Sequence, residues 1–168
     1  MKTCAALLAL LSTLLLGGCS SRSDNSVAAN KALVFRSEVE LWNRGNLSVA
    51  DELYSPVFVG HFASGQEWRG IRGIKDAVSS HRASFPDWTE HIEDILADGD
   101  KVAIRVSSTG TQRGKFMDLE PSGRKITIEE IHIFRIENGK IVEQWGMPDL
   151  QSLMQQLVAP EPEPTSAK

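Results

Sequence analysis

The chain has 168 residues, 41% of them hydrophobic and 24% charged, with 22 acidic against 18 basic side chains. That balance suits one globular domain with a modest core, and the acidic excess argues against nucleic acid or an anionic bilayer as an electrostatic partner. Both cysteines, Cys4 and Cys19, fall at the start, which excludes a disulfide, a thiol nucleophile or a thiolate metal site from everything beyond them.

Lys2 precedes an apolar run over residues 5–16, too short for a spanning helix and patterned like a signal-peptide core. The run ends in Leu16-Gly17-Gly18-Cys19, which resembles the lipobox of bacterial lipoproteins: small residues, then the cysteine that takes the lipid. The resemblance implies that residues 1–18 are removed, that Cys19 is lipidated, and that acyl chains alone tie the protein to a membrane. An ordinary secretory signal with a chance cysteine is the alternative. Loss of Lys2 takes the basic count from 18 to 17 against 22 acids, a formal charge of −5. Ser20 follows the cysteine where an inner-membrane retention signal in related lipoproteins is commonly Asp, so the resemblance implies the outer membrane, periplasmic side.

Residues 19–26 read as a short polar tether. Ala28, Ala32, Phe35, Val39 and Trp42 then follow helical spacing, with Gly45 just past the end. Asn46 is placed to cap a second, short helix carrying Leu47, Ala50, Leu53 and Tyr54, which Ser55-Pro56 stops. Residues 57–62 read as a strand. Residues 65–73 form a glycine-punctuated loop with Trp68, Arg69 and Arg72. A third helix has Ile74, Val78, His81 and Phe85 on one stripe, and Pro86-Asp87 ends it. Strands are expected over residues 89–96, 101–113 and 124–136, then Asp149 caps a last helix with Leu150, Leu153, Met154, Leu157 and Val158 on its apolar face. Residues 159–168 lack apolar anchors and read as a disordered tail. Helices first, then a strand meander, indicate an α+β fold for residues 27–158.

The most informative stretch is residues 125–145. Ile126, Ile128, Glu130, His132, Phe134 and Ile136 alternate onto one strand face, and Asn138-Gly139 turns the chain back on itself. A carboxylate and an imidazole thus share an apolar face, where each costs a few kcal/mol unless partnered. They either satisfy one another or line a pocket. A two-residue turn sets Trp145 across from His132; a three-residue turn sets Gln144 there and Gly146 opposite Glu130. Both registers are open to the sequence.

Phe85-Pro86-Asp87-Trp88, Gly110-Thr111-Gln112-Arg113-Gly114-Lys115-Phe116 and Glu120-Pro121-Ser122-Gly123-Arg124 come in series. They lead through Ile131-His132-Ile133-Phe134 and Glu137-Asn138-Gly139-Lys140 to Pro148-Asp149 and Gln156-Leu157. In this order they resemble the SnoaL-like polyketide cyclase and ester cyclase family, over nearly the whole domain. The resemblance implies the cone-shaped fold of nuclear transport factor 2, with a curved, mostly antiparallel sheet wrapped on helices around a pocket for a small hydrophobic molecule. It also implies a possible homodimer through the sheet. Cyclases of the family use a buried aspartate on the last strand as general acid/base for an aldol closure, with a histidine and an amide or carboxylate on the preceding strand orienting the substrate. His132 matches that histidine and Glu130 stands at the amide position. The chain departs at two places: Gly146 aligns with the aspartate, and Gln112 replaces a histidine.

Glu130 and His132 are therefore the candidate catalytic residues, as base and orienting partner. His61, Trp42, Gln112, Gln144 and Gly146 are the candidate ligand-binding residues. His81 reads as a core or rim histidine. His61, Glu130 and His132 are acceptable metal ligands but form no compact motif, so no metal is expected. No cofactor is expected either, since Gly70–Gly73 lacks the strand-before, helix-after setting of a dinucleotide fingerprint. A non-catalytic binding module for an apolar ligand and a dimerisation scaffold stand as alternatives to an enzyme.

Overall fold

A computed structural model describes residues 20–62 and 65–159, with side chains from Ser26 onward. The signal-like run, Cys19 and the tail beyond 159 lie outside the described residues. The elements run α1 (Ser20–Arg36), continued by a π-helical segment (Ser37–Asn43), a 3₁₀ turn (Leu47–Val49), α2 (Ala50–Leu53), β1 (Tyr54–Phe62), β2 (Glu67–Arg69) and α3 (Gly70–Ser84). Then follow β3 (Thr89–Asp98), β4 (Lys101–Thr111), β5 (Lys125–Glu137), β6 (Lys140–Pro148) and α4 (Leu150–Val158). None of the described helices is long and apolar enough to cross a membrane.

Six strands form one curved sheet in the order β2-β1-β6-β5-β4-β3. All pairs are antiparallel except β1 with β6, so the chain enters the sheet one strand in from its edge and makes its parallel contact when β6 returns beside β1. Helices cover the inner face. One apolar cluster joins Val34, Leu41, Tyr54, Phe58, Ile74, Val78 and Phe134; a second joins Phe85, Trp88, Ile126, Ile128, Leu153 and Leu157. Arg82 ties the helices together from α3, donating to the carbonyls of Trp42 and Asn43 at 3.0 and 3.1 Å.

Several expectations are corrected. The polar tether is helical from Ser20 on. The buried stripe of the first helix is out of phase with the expected one: Ala28, Ala32 and Phe35 are exposed, while Val34, Ser37, Glu38 and Leu41 are buried. The wide π-helical turns bring Ser37, Glu38, Leu41 and Trp42 to the core together. Tyr54 opens β1 rather than closing α2, and Pro56 lies inside that strand beside a break in its register. Asn46 takes the Ser48 hydroxyl at 2.7 Å instead of capping a helix N–H. Gly70–Gly73 does have a strand before it and a helix after it, but β2 is a three-residue antiparallel edge strand, not the parallel strand of a dinucleotide-binding unit. Asp149 caps α4 as expected, accepting from the Ser152 N–H at 2.9 Å.

Candidate active site

The site is built on β5, whose even residues from Ile126 to Ile136 are buried and whose odd ones are largely exposed. Its partner β6 starts from a two-residue turn with Asn138 at φ 50° and Gly139 at φ 71°, the left-handed pair such a turn requires. Ile136 accordingly faces Ile141. The ladder then slips: Arg135 faces Glu143, leaving Val142 as the extra residue of a β-bulge. Neither expected register holds. Beyond the bulge Gln144 faces Phe134, Gly146 faces His132 and Pro148 faces Glu130. The bulge, not the turn, brings Gln144 and Gly146 onto the inner face.

Glu130 and His132 are 8% and 7% exposed and meet as an ion pair, Oε2 to Nε2, at 3.4 Å. Burial alone raises a carboxyl and lowers an imidazole; each group's opposite charge outweighs that here. The Glu130 carboxyl is held below its ordinary value and the His132 ring above its own. The side-chain amide of Gln144 lies 3.2 Å from His132 Nδ1. A ring with Nδ1 bare takes the amide N–H, while a doubly protonated ring takes the amide oxygen, and Gln144 Oε1 is buried with no other partner. Only Nδ1 thus has a hydrogen-bond partner; Nε2 faces the Glu130 carboxylate at 3.4 Å without completing a hydrogen bond. Glu130 Oε1 is likewise buried and completes no hydrogen bond, the Ser108 hydroxyl is a further neighbour of the carboxylate, and both Glu130 and His132 line a cavity of about 340 Å³.

That cavity lies between the two apolar clusters and is walled by Trp42, Phe62, Trp68, Trp88, Phe116 and Leu153, among others. At Gly146, an added Cβ would sit 2.3 Å from a ring carbon of Phe62 and 3.2 Å from His132 Nδ1. Phe62 is the direct neighbour of Gly146 across the parallel β1–β6 pair, and its ring occupies the space an acid at position 146 would need. The ring packs in turn on Trp68, centroids 3.9 Å apart. Phe62 escaped the sequence reading because only the parallel pairing makes it a neighbour of β6.

Two further acids stand at this site. Glu90 lines the cavity; its Oε1 accepts from Trp88 Nε1 at 2.9 Å, and its Oε2 is buried without a hydrogen-bond donor. Glu38, 3% exposed, stands against it with Oε1 also lacking a donor. Burial, and then the neighbouring carboxylates Glu90 and Glu130, push the Glu38 carboxyl well up; burial likewise raises Glu90. His81 also reaches the cavity wall, boxed by Trp42, Phe85 and Trp88. Burial pushes it down to about 4, so it is neutral at physiological pH. Glu38 was hidden from the sequence by the phase error in the first helix. Glu90 carried a signal, since it alternates with Ile92 in a predicted strand.

Two sequence-predicted residues are elsewhere. His61 points to the outer face of the sheet, because the alternation of β1 turns Phe62 inward; it bonds Glu143 at 2.9 Å, approaches Glu67 at 3.3 Å and stacks on Trp145. It cannot join Glu130 and His132 around a ligand or a metal. Gln112 is fully buried but away from the cavity, and its amide is consumed by the loop that follows β4. It donates to the carbonyls of Leu119 and Glu120 and accepts from the backbone and hydroxyl of Ser122. Trp42 lines the cavity; Gln144 and Gly146 are not part of its wall, Gly146 lying against Phe62, which is. Of the remaining sequence motifs, Trp88, Phe116 and Pro148 also line it, and other motif residues are scaffold. Asp87 accepts from the N–H and hydroxyl of Thr111, both at 2.7 Å, and Gly114 lies so close to α3 that a Cβ would be 2.2 Å from the Ala83 carbonyl.

Comparison with known proteins accounts for this arrangement. The family model of the SnoaL-like polyketide cyclases matches residues 32–157. The aklanonic acid methyl ester cyclase DauD of Streptomyces sp. (strain C5) is 29% identical over 133 residues, which cover 77% of this chain and 82% of the relative. The nogalonic acid methyl ester cyclase of Streptomyces nogalater is 25% identical over 128 residues, 74% of this chain and 95% of its own. Among solved structures, a protein of Jannaschia sp. CCS1 named for the SnoaL-like polyketide cyclases superposes with a TM-score of 0.75 at 27% identity, covering 79% of this chain and 94% of that one. TsrD from Streptomyces laurentii gives 0.71 at 27%, covering 79% and 97%. With three quarters of its length matched in both sequence and fold, the chain belongs to the SnoaL-like polyketide cyclase family.

Proposed function

We propose that this protein is an acid–base enzyme of cyclase or isomerase type, acting on a small hydrophobic carbonyl compound, with Glu130 as the base. The observation that carries the proposal is Glu130 Oε1: a buried carboxylate oxygen that completes no hydrogen bond, on a cavity-lining group whose other oxygen faces the His132 ring at 3.4 Å. The pairing keeps Glu130 ionised across the neutral range, so the base is ready before a ligand arrives. His132, fixed through Nδ1 by Gln144, balances the charge of the carboxylate from 3.4 Å. A ketone held against the aromatic wall would lose a proton from the carbon beside its carbonyl to Glu130. The carbanion would close onto a second carbonyl carbon, whose oxygen then takes a proton, or would be reprotonated elsewhere. Both outcomes conserve atoms and need no oxidant. The ester cyclases named above support the reaction class, and the Phe62 ring in place of an acid at 146 implies a different route for the proton.

Exchange of the α-protons of β-tetralone, a compact apolar ketone, into heavy water tests this by NMR. Catalysed exchange is expected, with Glu130→Gln slowing it about 100-fold or more. Exchange no faster than in buffer would leave the second reading, a binding module for an apolar ligand. Phe62 favours that alternative by filling the acid's place, and a hydrophobic compound co-purifying with the protein would support it.

The proposal includes a location. The apolar run over residues 5–16 and the Leu16-Gly17-Gly18-Cys19 sequence support a lipid-anchored protein on the periplasmic side of the outer membrane. Incorporation of labelled palmitate that Cys19→Ala fails to abolish would refute the anchor.

A further inference from the structure

Proton transfer from carbon to Glu130 leaves an oxygen that must gain a proton, and the family's acid position cannot provide one, because residue 146 is glycine under the Phe62 ring. His132 is held as the counter-charge of Glu130, with Nε2 3.4 Å from that carboxylate and Nδ1 on the Gln144 amide, and a proton given up from it would leave the base unbalanced. His81 is neutral and can donate a hydrogen bond through its unpartnered Nε2, but an imidazole carrying a single ring proton is a poor proton donor. Lys115 also lines the cavity, but its side chain is largely exposed and its ammonium lies 3.5 Å from Glu120; the buried candidates are the two acids across the cavity.

The segment that carries Glu38 is docked on Glu90: Asn43, at its end, donates to the Glu90 carbonyl at 2.9 Å and accepts from the Glu90 N–H at 2.7 Å. Glu38 Oε1 and Glu90 Oε2 are both buried and neither has a donor from any other residue. Two adjacent carboxyls that both lack donors repel when both are ionised; one proton between them turns the repulsion into a hydrogen bond. The groups facing the pair are Glu130 and His132 from β5, Trp88 Nε1, which fixes the other Glu90 oxygen, and the Tyr54 hydroxyl, which is itself held by Ser37 at 2.7 Å. No lysine or arginine is among them; the His132 charge and the Trp88 N–H favour an ionised Glu90, but burial, the larger effect, and the Glu130 carboxylate favour keeping one proton on the pair. Glu38 is carried on the π-helical segment, which turns it into the core, and it lies behind Glu90 rather than on the cavity wall. A fold that needed only a polar tie at this place would be served by glutamine, without the cost of burying carboxyls.

We propose that Glu38 and Glu90 form a proton-sharing carboxyl pair, and that Glu90 delivers this proton to the substrate oxygen as it becomes anionic, with Glu38 as the reserve behind it. The proposal deepens the reading of Glu130 as base and rests on it. In one turnover Glu130 gains the proton lost by carbon and the pair gives one to oxygen. Exchange with water through the cavity mouth returns both to their starting state. Glu90 is the catalytic residue, and Glu38, which touches no substrate, is a positioning residue.

Benzisoxazole and its nitro derivative serve as probes, because both are small, apolar and opened by base. The base takes the ring C–H proton, the C–N unit becomes a nitrile, the N–O bond breaks and the oxygen leaves as a phenolate. The unsubstituted phenolate is basic and profits from a proton donor; the nitrophenolate scarcely does. Glu130→Gln is expected to silence both probes. Glu38→Gln fixes Glu90 as a carboxylate, and it should slow benzisoxazole about 100-fold while changing the nitro compound less than about threefold. Glu90→Gln, a second variant should the first fold poorly, is expected to show the same inequality. Independently of turnover, the infrared spectrum of the wild-type protein at neutral pH should contain a protonated-carboxyl C=O band that disappears in Glu38→Gln. Absence of that band overturns the shared proton. Equal slowing of both probes, or none, by Glu38→Gln and Glu90→Gln overturns the donor role while Glu130 stands. If Glu130→Gln silences neither probe, the base assignment fails and the donor role falls with it.

Discussion

The two faces of the β5–β6 pair carry the same chemical contact in opposite settings. On the outer face His61 meets Glu143 at 2.9 Å, with side chains 33% and 24% exposed; on the inner face His132 meets Glu130 at 3.4 Å, both 9% exposed. The outer contact is shorter and better connected, since Arg135 also reaches Glu143 at 2.8 Å and Glu67 approaches the other side of His61. Distance would rank it first. Burial reverses the ranking, because water screens the outer charges and satisfies either partner when the other is lost. The inner pair has only its cavity and its protein neighbours. A histidine beside a glutamate acquires chemical consequence from what surrounds it, not from how near the two stand.

The largest expected effect comes from breaking the inner pair. His132→Ala strands a buried carboxylate and should lower unfolding free energy by about 3 kcal/mol at pH 6, read from urea denaturation. The loss should depend on pH. His132 is raised, so its stabilising contribution is full below its ordinary value of 6.5 and fades as pH rises through the folded value. Glu130 is lowered, so its contribution is full above 4.5 and fades as pH falls. The wild type should therefore exceed His132→Ala by most between those two values. A difference that is flat with pH would break the comparison. Next in size, Gly146→Asp forces a side chain against Phe62 and should cost about 2 kcal/mol. Adding Phe62→Ala should recover part of that cost; no recovery would show that something other than the ring excludes the acid. Smallest of all, His61→Ala on the outer face should cost under about 1 kcal/mol, and a loss matching His132→Ala would erase the distinction between faces.

What the sequence made legible was local. The alternation of β5, the Asn138-Gly139 turn and the Asp149 cap follow from neighbours in the chain, and each stands where its pattern put it. The family resemblance supplied the cone and the pocket. What stayed hidden depended on strand parity and on long-range pairing. His61 and Phe62 are adjacent in sequence and face opposite ways; a register break in β1 means that counting from Tyr54 cannot tell which one faces the ligand. Glu38 drew no notice because the apolar stripe fits through Ala28, Ala32 and Phe35, all of which are exposed. A carboxylate in a helix reads as surface by default, and its burial becomes intelligible only beside Glu90 on β3. Gln112 shows the reverse error: a polar residue in a recognisable motif proved to be a bracket for its own loop.

The bulge at Val142 gives this segment one residue in reserve. A chain shortened by one position there could pair Ile141 with Ile136 and Glu143 with Arg135 in an unbroken ladder, and Gln144 and Gly146 would still fall on the inner face. Alignment gaps near this turn therefore say little about which side chains meet the ligand. Counting positions outward from Asn138-Gly139 in this chain inverts inside and outside unless the reserve residue is first set apart.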